Sequence, residues 1–188
     1  MNVGTSTVNV SALGLDSTDL MQGTFRHAEN TRVAKTFNIV GNAEGRLALR
    51  EEASYPSFFS NSRWDVALSP QIPLALRVNG GVGRAMLDLA ALNVTALNVD
   101  AGVGNIDVTA PKSGNTTMRV NGGVGTLTIT IPDGVAARIR VDGGIGSTRV
   151  NESRFPKFGG AYQSADYASA TNKIDIAIDG GVGSISVR

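Results

Sequence analysis

Apolar and polar residues alternate along most of this chain, and one recurring turn punctuates the alternation. Leu74, Leu76 and Val78 lead into Asn79-Gly80-Gly81-Val82-Gly83, and Ala85, Leu87 and Leu89 lead out of it, separated by Arg84, Met86 and Asp88. A period of two marks a strand with one face buried and the other in water. The turn returns as Asp100-Ala101-Gly102-Val103-Gly104, Asn121-Gly122-Gly123-Val124-Gly125, Asp142-Gly143-Gly144-Ile145-Gly146 and Asp179-Gly180-Gly181-Val182-Gly183. Inward positions after these turns are Ile106 and Val108, Leu127 and Ile129, Thr148 and Val150, and Ile185 and Val187. Before them come Leu97 and Val99, Met118 and Val120, Ile139 and Val141, and Ile176 and Ile178. β-Branched residues dominate, as a pleated, packed surface favours.

The final glycines of the first four turns are 21 residues apart, and the fifth follows after 37, which leaves room for a 16-residue insertion. A fixed period in this range marks a solenoid, whose units bury their apolar faces against neighbours rather than alone. Each unit reads as strand, glycine turn, strand and second corner. The expected fold is therefore all-β, a β-helix of roughly 21-residue repeats forming one domain over residues 1–188. Residues 67–150 hold the regular repeats, 151–170 the insertion and 171–188 the last repeat. A helical reading fails, because no segment keeps apolar residues at i, i+3, i+4 and i+7 and glycine recurs too often. The paired leucines of Leu87 to Val99 imitate a leucine-rich repeat, but that cadence occurs once and its Asn/Cys ladder position is missing.

Gly80 and Gly83, Gly102 and Gly104, Gly122 and Gly125, Gly143 and Gly146, and Gly180 and Gly183 are the structural turn residues. Stacked tight turns need backbone angles that glycine reaches without steric cost. Neighbouring coils lie only about 4.8 Å apart, so a Cβ along the axis would collide. The Val or Ile inside each turn is expected to tuck into the corner of the core. The Asn or Asp that opens the turn fits an Asx turn, accepting a backbone N–H two residues on.

The repeated turn invites two chemical readings that its surroundings remove. A dinucleotide fingerprint needs a further Gly where Met86, Asp107, Thr128, Arg149 and Ser186 stand, and strands follow instead of helices. A calcium-binding Gly-Gly-x-Gly-x-Asp repeat needs a carboxylate where Ala85, Ile106, Leu127, Thr148 and Ile185 stand. The ladder Asn79, Asp100, Asn121, Asp142 alternates amide with carboxylate, which relieves like-charge repulsion without a metal. Arg77, Arg119 and Arg140 precede it by two residues as cross-coil partners. His27 stands alone, and Glu51 and Glu52 would face opposite sides of a strand. No nucleophile–base pair can be assembled, so no catalytic residue, metal or cofactor is expected.

Composition adds little beyond this. Much of the excess of glycine, 23 residues, sits in the turns. The formal net charge is +1, with no clustered basic face of the kind that nucleic acid requires. Cysteine is absent, which removes disulfides and thiolate metal sites. No apolar run approaches the roughly 18 residues of a membrane span, and no signal peptide opens the chain.

The irregular parts carry the open questions. Residues 1–66 read as degenerate first coils and a cap, with Gly45 to Leu49 echoing Gly83 to Leu87 and Trp64 closing the core. The insertion holds Phe155, Phe158, Tyr162 and Tyr167, four of the ten aromatic residues. Those rings form either a recognition surface or a lid packed inward. The chain stops inside a strand at Arg188, an open edge that invites end-to-end dimers unless the insertion covers it.

Trp64 through Gly83, Met86 through Val94, Gly104 through Val108 and Asp166 through Val187 resemble bacterial toast-rack domains. Those form the LiaF-like C-terminal part of envelope-stress regulators and of candidate adhesins. The resemblance covers nearly the whole chain, and its motifs are structural. It implies a single-stranded right-handed β-helix at the bacterial cell envelope, tethered behind membrane helices that this chain lacks. It supplies no catalytic residue. Two functions stand: a regulatory or sensory domain contacting a protein partner in the cell-wall stress response, and a structural or adhesin-like module that binds saccharide or self-associates.

Overall fold

The computed structural model describes residues 1–27, 29, 31–41, 44–53, 62–100 and 102–188; Ala101, in the second turn, lies outside them. Every regular element among the described residues is a strand. The chain opens with β1 (Asn2–Ala12), β2 (Met21–Arg26), the hairpin β3 (Thr31–Val40) and β4 (Glu44–Ala53), and β5 (Ser62–Leu68). The coils follow. β6 (Leu74–Asp88) is both halves of the first, β7 (Val94–Asp100) and β8 (Val103–Thr109) the second, β9 (Asn115–Asn121) and β10 (Val124–Thr130) the third. β11 (Ala136–Asp142) and β12 (Ile145–Val150) are the fourth, β13 (Lys157–Phe158) and β14 (Ala161–Gln163) lie in the insertion, and β15 (Lys173–Asp179) and β16 (Val182–Val187) are the fifth.

Two parallel stacks branch from β6, which runs unbroken through its turn. One is β6-β7-β9-β15-β11, extended by the antiparallel β14 and β13; the other is β6-β8-β10-β16-β12. Register advances by one repeat per coil over the first three, pairing Arg77 with Asn98 and Asn98 with Arg119. Because register is kept, equivalent side chains form columns. Leu76, Leu97, Met118, Ile176 and Ile139 line up on one stack, and Leu87, Val108, Ile129, Val187 and Val150 on the other. Both columns enter one hydrophobic core. Each fully buried aliphatic side chain contributes on the order of 2 kcal/mol.

The coils are not stacked in chain order. The fifth lies between the third and the fourth: β15 is bonded to β9 and β11, and β16 to β10 and β12. The C-terminal strand is thus an inner one, paired on both sides, which corrects the expectation of an open end at Arg188. The end strand is β12 instead. This order also revises the ladder of turn-opening residues, for Asp179 pairs in register with Asp142. Two carboxylates one coil apart repel by about 0.9 kcal/mol in bulk water.

At the other end, β1 lies parallel between β6 and β5, and β2 closes β5 in antiparallel sense. Trp64 of β5 is wholly buried and meets the Phe25 ring edge-on at 5.3 Å. Gly45 to Leu49, the echo of the repeat, form no parallel coil; they pair antiparallel with Lys35 to Ile39. The resemblance in pattern was local, and the short loop between β3 and β4 favours a hairpin over a coil.

Glycine is required where turns stack. A Cβ on Gly104 would lie 1.8 Å from the carbonyl oxygen of Gly83, and Gly104 has φ near 149°. Gly80 has open space around it. Gly104→Ala is therefore expected to cost on the order of 4 kcal/mol or to prevent folding, whereas Gly80→Ala changes stability by less than about 0.5 kcal/mol. Urea titration of the two variants measures the difference.

Candidate interaction surfaces

The outward side of β2, β5, β1, β6, β8, β10, β16 and β12 is one continuous face. A straight row crosses it in register: Thr24, Asp65, Asn9, Met86, Asp107, Thr128, Ser186 and Arg149. Arg26, Arg63, Thr7, Arg84, Asn105, Thr126, Ser184 and Ser147 form the next. Seven strand spacings make the face about 34 Å wide. Hydroxyls, amides and charges dominate it. Within it Asp65 is held by Arg63 at 2.9 Å and by the Asn9 amide at 2.5 Å. The bond from Arg63, then that from Asn9, keeps its carboxyl below the usual carboxylate range.

The turn valines border this face instead of filling the core. Val103, Val124 and Val182 are about half exposed and Ile145 is 77% exposed, which corrects the expectation that they tuck inward; the side chain of Val82 lies outside the described part. They stack in register as an aliphatic ladder. The physical reason is parity. The alternation of the downstream strand already holds at the last two residues of the turn, so Val103 shares the outward side of Asn105 and Asp107, while Gly104 shares the inward side of Ile106. Counting back from Ile106 would have found it.

At three of the opening residues, where Asx turns are expected, the side chains bond to neighbouring strands. The Asn121 amide donates to Asp100 at 2.5 Å, and the Asn79 amide to Asn2 at 2.6 Å.

The insertion divides its four aromatic residues. Phe155 is wholly buried, beneath the Arg154 guanidinium, which donates to the carbonyls of Ile131, Pro132 and Val135. Tyr162 lies half-buried on β14, paired in register with Ile139 at the edge of β11. Tyr167 packs under Arg138 at 4.9 Å and donates to Asp175 at 3.3 Å. Asp175 in turn pairs with Arg138 and Arg140. Phe158 is the ring that faces water, 69% exposed beside the Gly159-Gly160 turn. Ser164 completes the cover, accepting from the Ala137 amide at 2.8 Å.

His27 is exposed, and Glu51 and Glu52 do face opposite sides, with Ser62 donating to Glu51 and Arg32 to Glu52. Among the described residues no group of three or more His, Cys, Asp or Glu is arranged to hold a metal, and no helix is long and apolar enough to cross a membrane.

Comparison with known proteins gives this arrangement a family. Residues 1–130 match the family model described as the N-terminal domain of toast_rack, DUF2154. The chain belongs to the toast-rack family. It is also similar to the crystal structure of a candidate cell adhesion protein from Clostridium sporogenes ATCC 15579, with 25% identity and a TM-score of 0.82. That likeness covers 99% of this chain and 90% of the other. Among curated proteins, none matches the chain.

Two measurements follow from the insertion. Phe155→Ala is expected to lose about 3–5 kcal/mol as a buried ring truncation, whereas Phe158→Ala leaves the thermal midpoint unchanged. Burial, then the Asp175 charge, pushes the Tyr167 phenol above its usual value. Its contribution to stability is complete below the unfolded value near 10 and is lost as pH rises through the higher folded value. Ultraviolet titration should show a late-ionising phenol that Tyr167→Phe removes.

Proposed function

We propose that the chain is a non-catalytic, adhesin-like surface module of the bacterial envelope that makes contact through its broad outward face. The likeness over 99% of the chain to a candidate cell adhesion protein carries this reading. The geometry supports it: a flat field of Thr, Ser, Asn and Asp suits the hydroxyls of a surface saccharide, and the aliphatic ladder adds an apolar margin. Val124→Asp with Thr128→Arg, both outside the core, tests it. Retention of cells or of immobilised cell-wall saccharide by beads carrying the purified domain should fall about tenfold, with thermal stability within roughly 0.5 kcal/mol. Unchanged retention removes the face from the reading, and no retention by the parent chain removes the reading.

Self-association is the other contact such a module offers, and β12 is where it would occur. The amides of Ile145 and Asn151 donate to Gly181 and Val187. In a parallel ladder successive residues alternate sides, so the Thr148 amide and carbonyl point away from β16. Unpaired edge groups recruit another strand. Thr148→Pro removes an outward donor without breaking a ladder bond. It should abolish any concentration-dependent dimer in sedimentation; a parent chain that stays monomeric at all concentrations excludes one.

A second reading, as a LiaF-like regulatory domain of the cell-wall stress response, rests on family membership and on the resemblance of residues 64–83. In it Phe158 and the half-buried edges of Tyr162 and Tyr167 meet a membrane-bound protein partner, and a tether outside this chain holds the domain at the membrane. A cell-wall-stress reporter that responds to loss of the gene, while adhesion is unchanged, favours this second reading over the first.

A further inference from the structure

β1 supplies only the second half of a coil. That half lies between β5 and the second half of β6, in register from Ser6 and Gly83 onward. Toward the start of β1 the ladder with β6 begins at Asn2 and Asn79, and the ladder with β4 is the single pair Asn2 and Arg50. Among the described strands none lies between residues 44–49 of β4 and residues 74–78 of β6. Burial in the first coil reflects this slot. Leu74 and Leu76 are half-buried, whereas Val94 and Leu97, their partners in the next coil, are 2% and 0% exposed. On the β4 side Leu47 is half-buried, and Phe37 and Ile39, paired with Leu47 and Gly45, are 51% and 70% exposed.

We infer that this slot is a docking site for the C-terminal tail of a partner polypeptide, bound as an extended strand parallel to β6. The slot continues a ladder that already exists. The Met1 amine donates to the Arg77 carbonyl at 2.6 Å, and the Asn79 amide to the Met1 carbonyl at 2.8 Å. By the alternation of a parallel ladder, the Ala75 amide and carbonyl and the Arg77 amide point the same way, into the slot. Unpaired edge groups of this kind recruit an extended segment, whose alternate side chains then settle among the flanking ones. Counted back from Met1, an inserted strand meets Leu76 and Leu47 at its second-to-last residue and Leu74 and Gly45 at its fourth-to-last. Apolar side chains belong at those two positions. Charge decides what lies at the Met1 end. The ammonium is half-buried beside Arg77, and no carboxylate among the described residues pairs with either. Burial, then the Arg77 charge, lowers the ammonium below its usual value. A C-terminal carboxylate answers both charges, and the parallel direction delivers it there. Neither the outward face nor β12 takes part, so the site stands or falls apart from the adhesion reading.

The probe is the peptide acetyl-Lys-Thr-Val-Thr-Val-Thr with a free carboxylate, titrated into the chain by calorimetry in mildly acidic buffer, which keeps the amine protonated. One-to-one binding is expected. Hydrogen exchange at the Ala75 and Arg77 amides should slow by about tenfold or more, with Thr148 unchanged. The same peptide with aspartate in place of both valines should not bind, and its C-terminal amide should bind severalfold more weakly. Ala75→Pro removes an amide that points into the slot, so it should weaken binding by about tenfold with an unchanged circular dichroism spectrum. Should Ala75→Pro fail to fold, fusing the hexapeptide directly ahead of Met1 fills the slot in cis. The thermal midpoint should then rise and the free peptide should no longer bind. Absence of binding, protection of Thr148 in place of Ala75 and Arg77, or a fusion that gains no stability and still binds the peptide each overturns the assignment. Equal affinity of acid and amide overturns the part given to the carboxylate. A parent dimer that Ala75→Pro dissociates gives the slot to a second copy and overturns the choice of a partner's tail.

Discussion

The structure depends on how closely one glycine turn lies on the next. At Gly104, Gly125, Gly146 and Gly183 an added Cβ would sit 1.8–1.9 Å from the carbonyl oxygen of the neighbouring coil's glycine. With that approach allowed, amides and carbonyls of adjacent turns bond directly, and the strands that follow the turns stay in register without a bulge. Register then aligns the columns of Leu, Val, Met and Ile that make up the core. The outward face and the aliphatic ladder inherit their regularity from the same contact.

The intercalated fifth coil is the second organising fact. After the fourth coil the chain turns back through residues 151–172 and fills the layer left between β9 and β11, and between β10 and β12. That return gives the insertion its work: Arg154 bonds the carbonyls after β10, Phe155 fills the core, and β14 covers the edge of β11. One stack is therefore closed and the other ends on the bare strand β12. A solenoid that simply grew from one end would have left its last coil at the edge, where truncation is tolerated. Here the last residues hold the fourth coil to the third, so the two ends of the repeat array are interdependent.

Much of the secondary structure was legible in the residues because period-two alternation and a repeated glycine turn are local signals. The burial of Trp64 and the steric need for glycine at the stacked turns were legible for the same reason. The outward direction of Val103, Val124, Val182 and Ile145 follows from the downstream strand, whose alternation extends back into the turn. The turn shifts the phase by one, for Val78 and Leu87 of β6 are both buried although nine residues apart. The surfaces were less legible than the fold. Four aromatic residues look alike in sequence, yet Phe155 is a core residue and Phe158 an exposed one, and that division depends on where Arg154 and β11 stand.

Alternation, glycine spacing and the absence of cysteine were properties of the chain alone, since each depends on near neighbours and residue type. The order of the coils was not. The third, fourth and fifth repeats share the turn and most of the inward pattern, with Thr148 of the fourth standing where the others have Leu127 and Ile185, so near-neighbour pattern leaves their stacking order open. Their arrangement was settled by long-range packing: the length of the insertion, the burial of Phe155 and the pairing of β14 with β11. From that arrangement follow the adjacency of Asp142 and Asp179 and the exposed edge at β12.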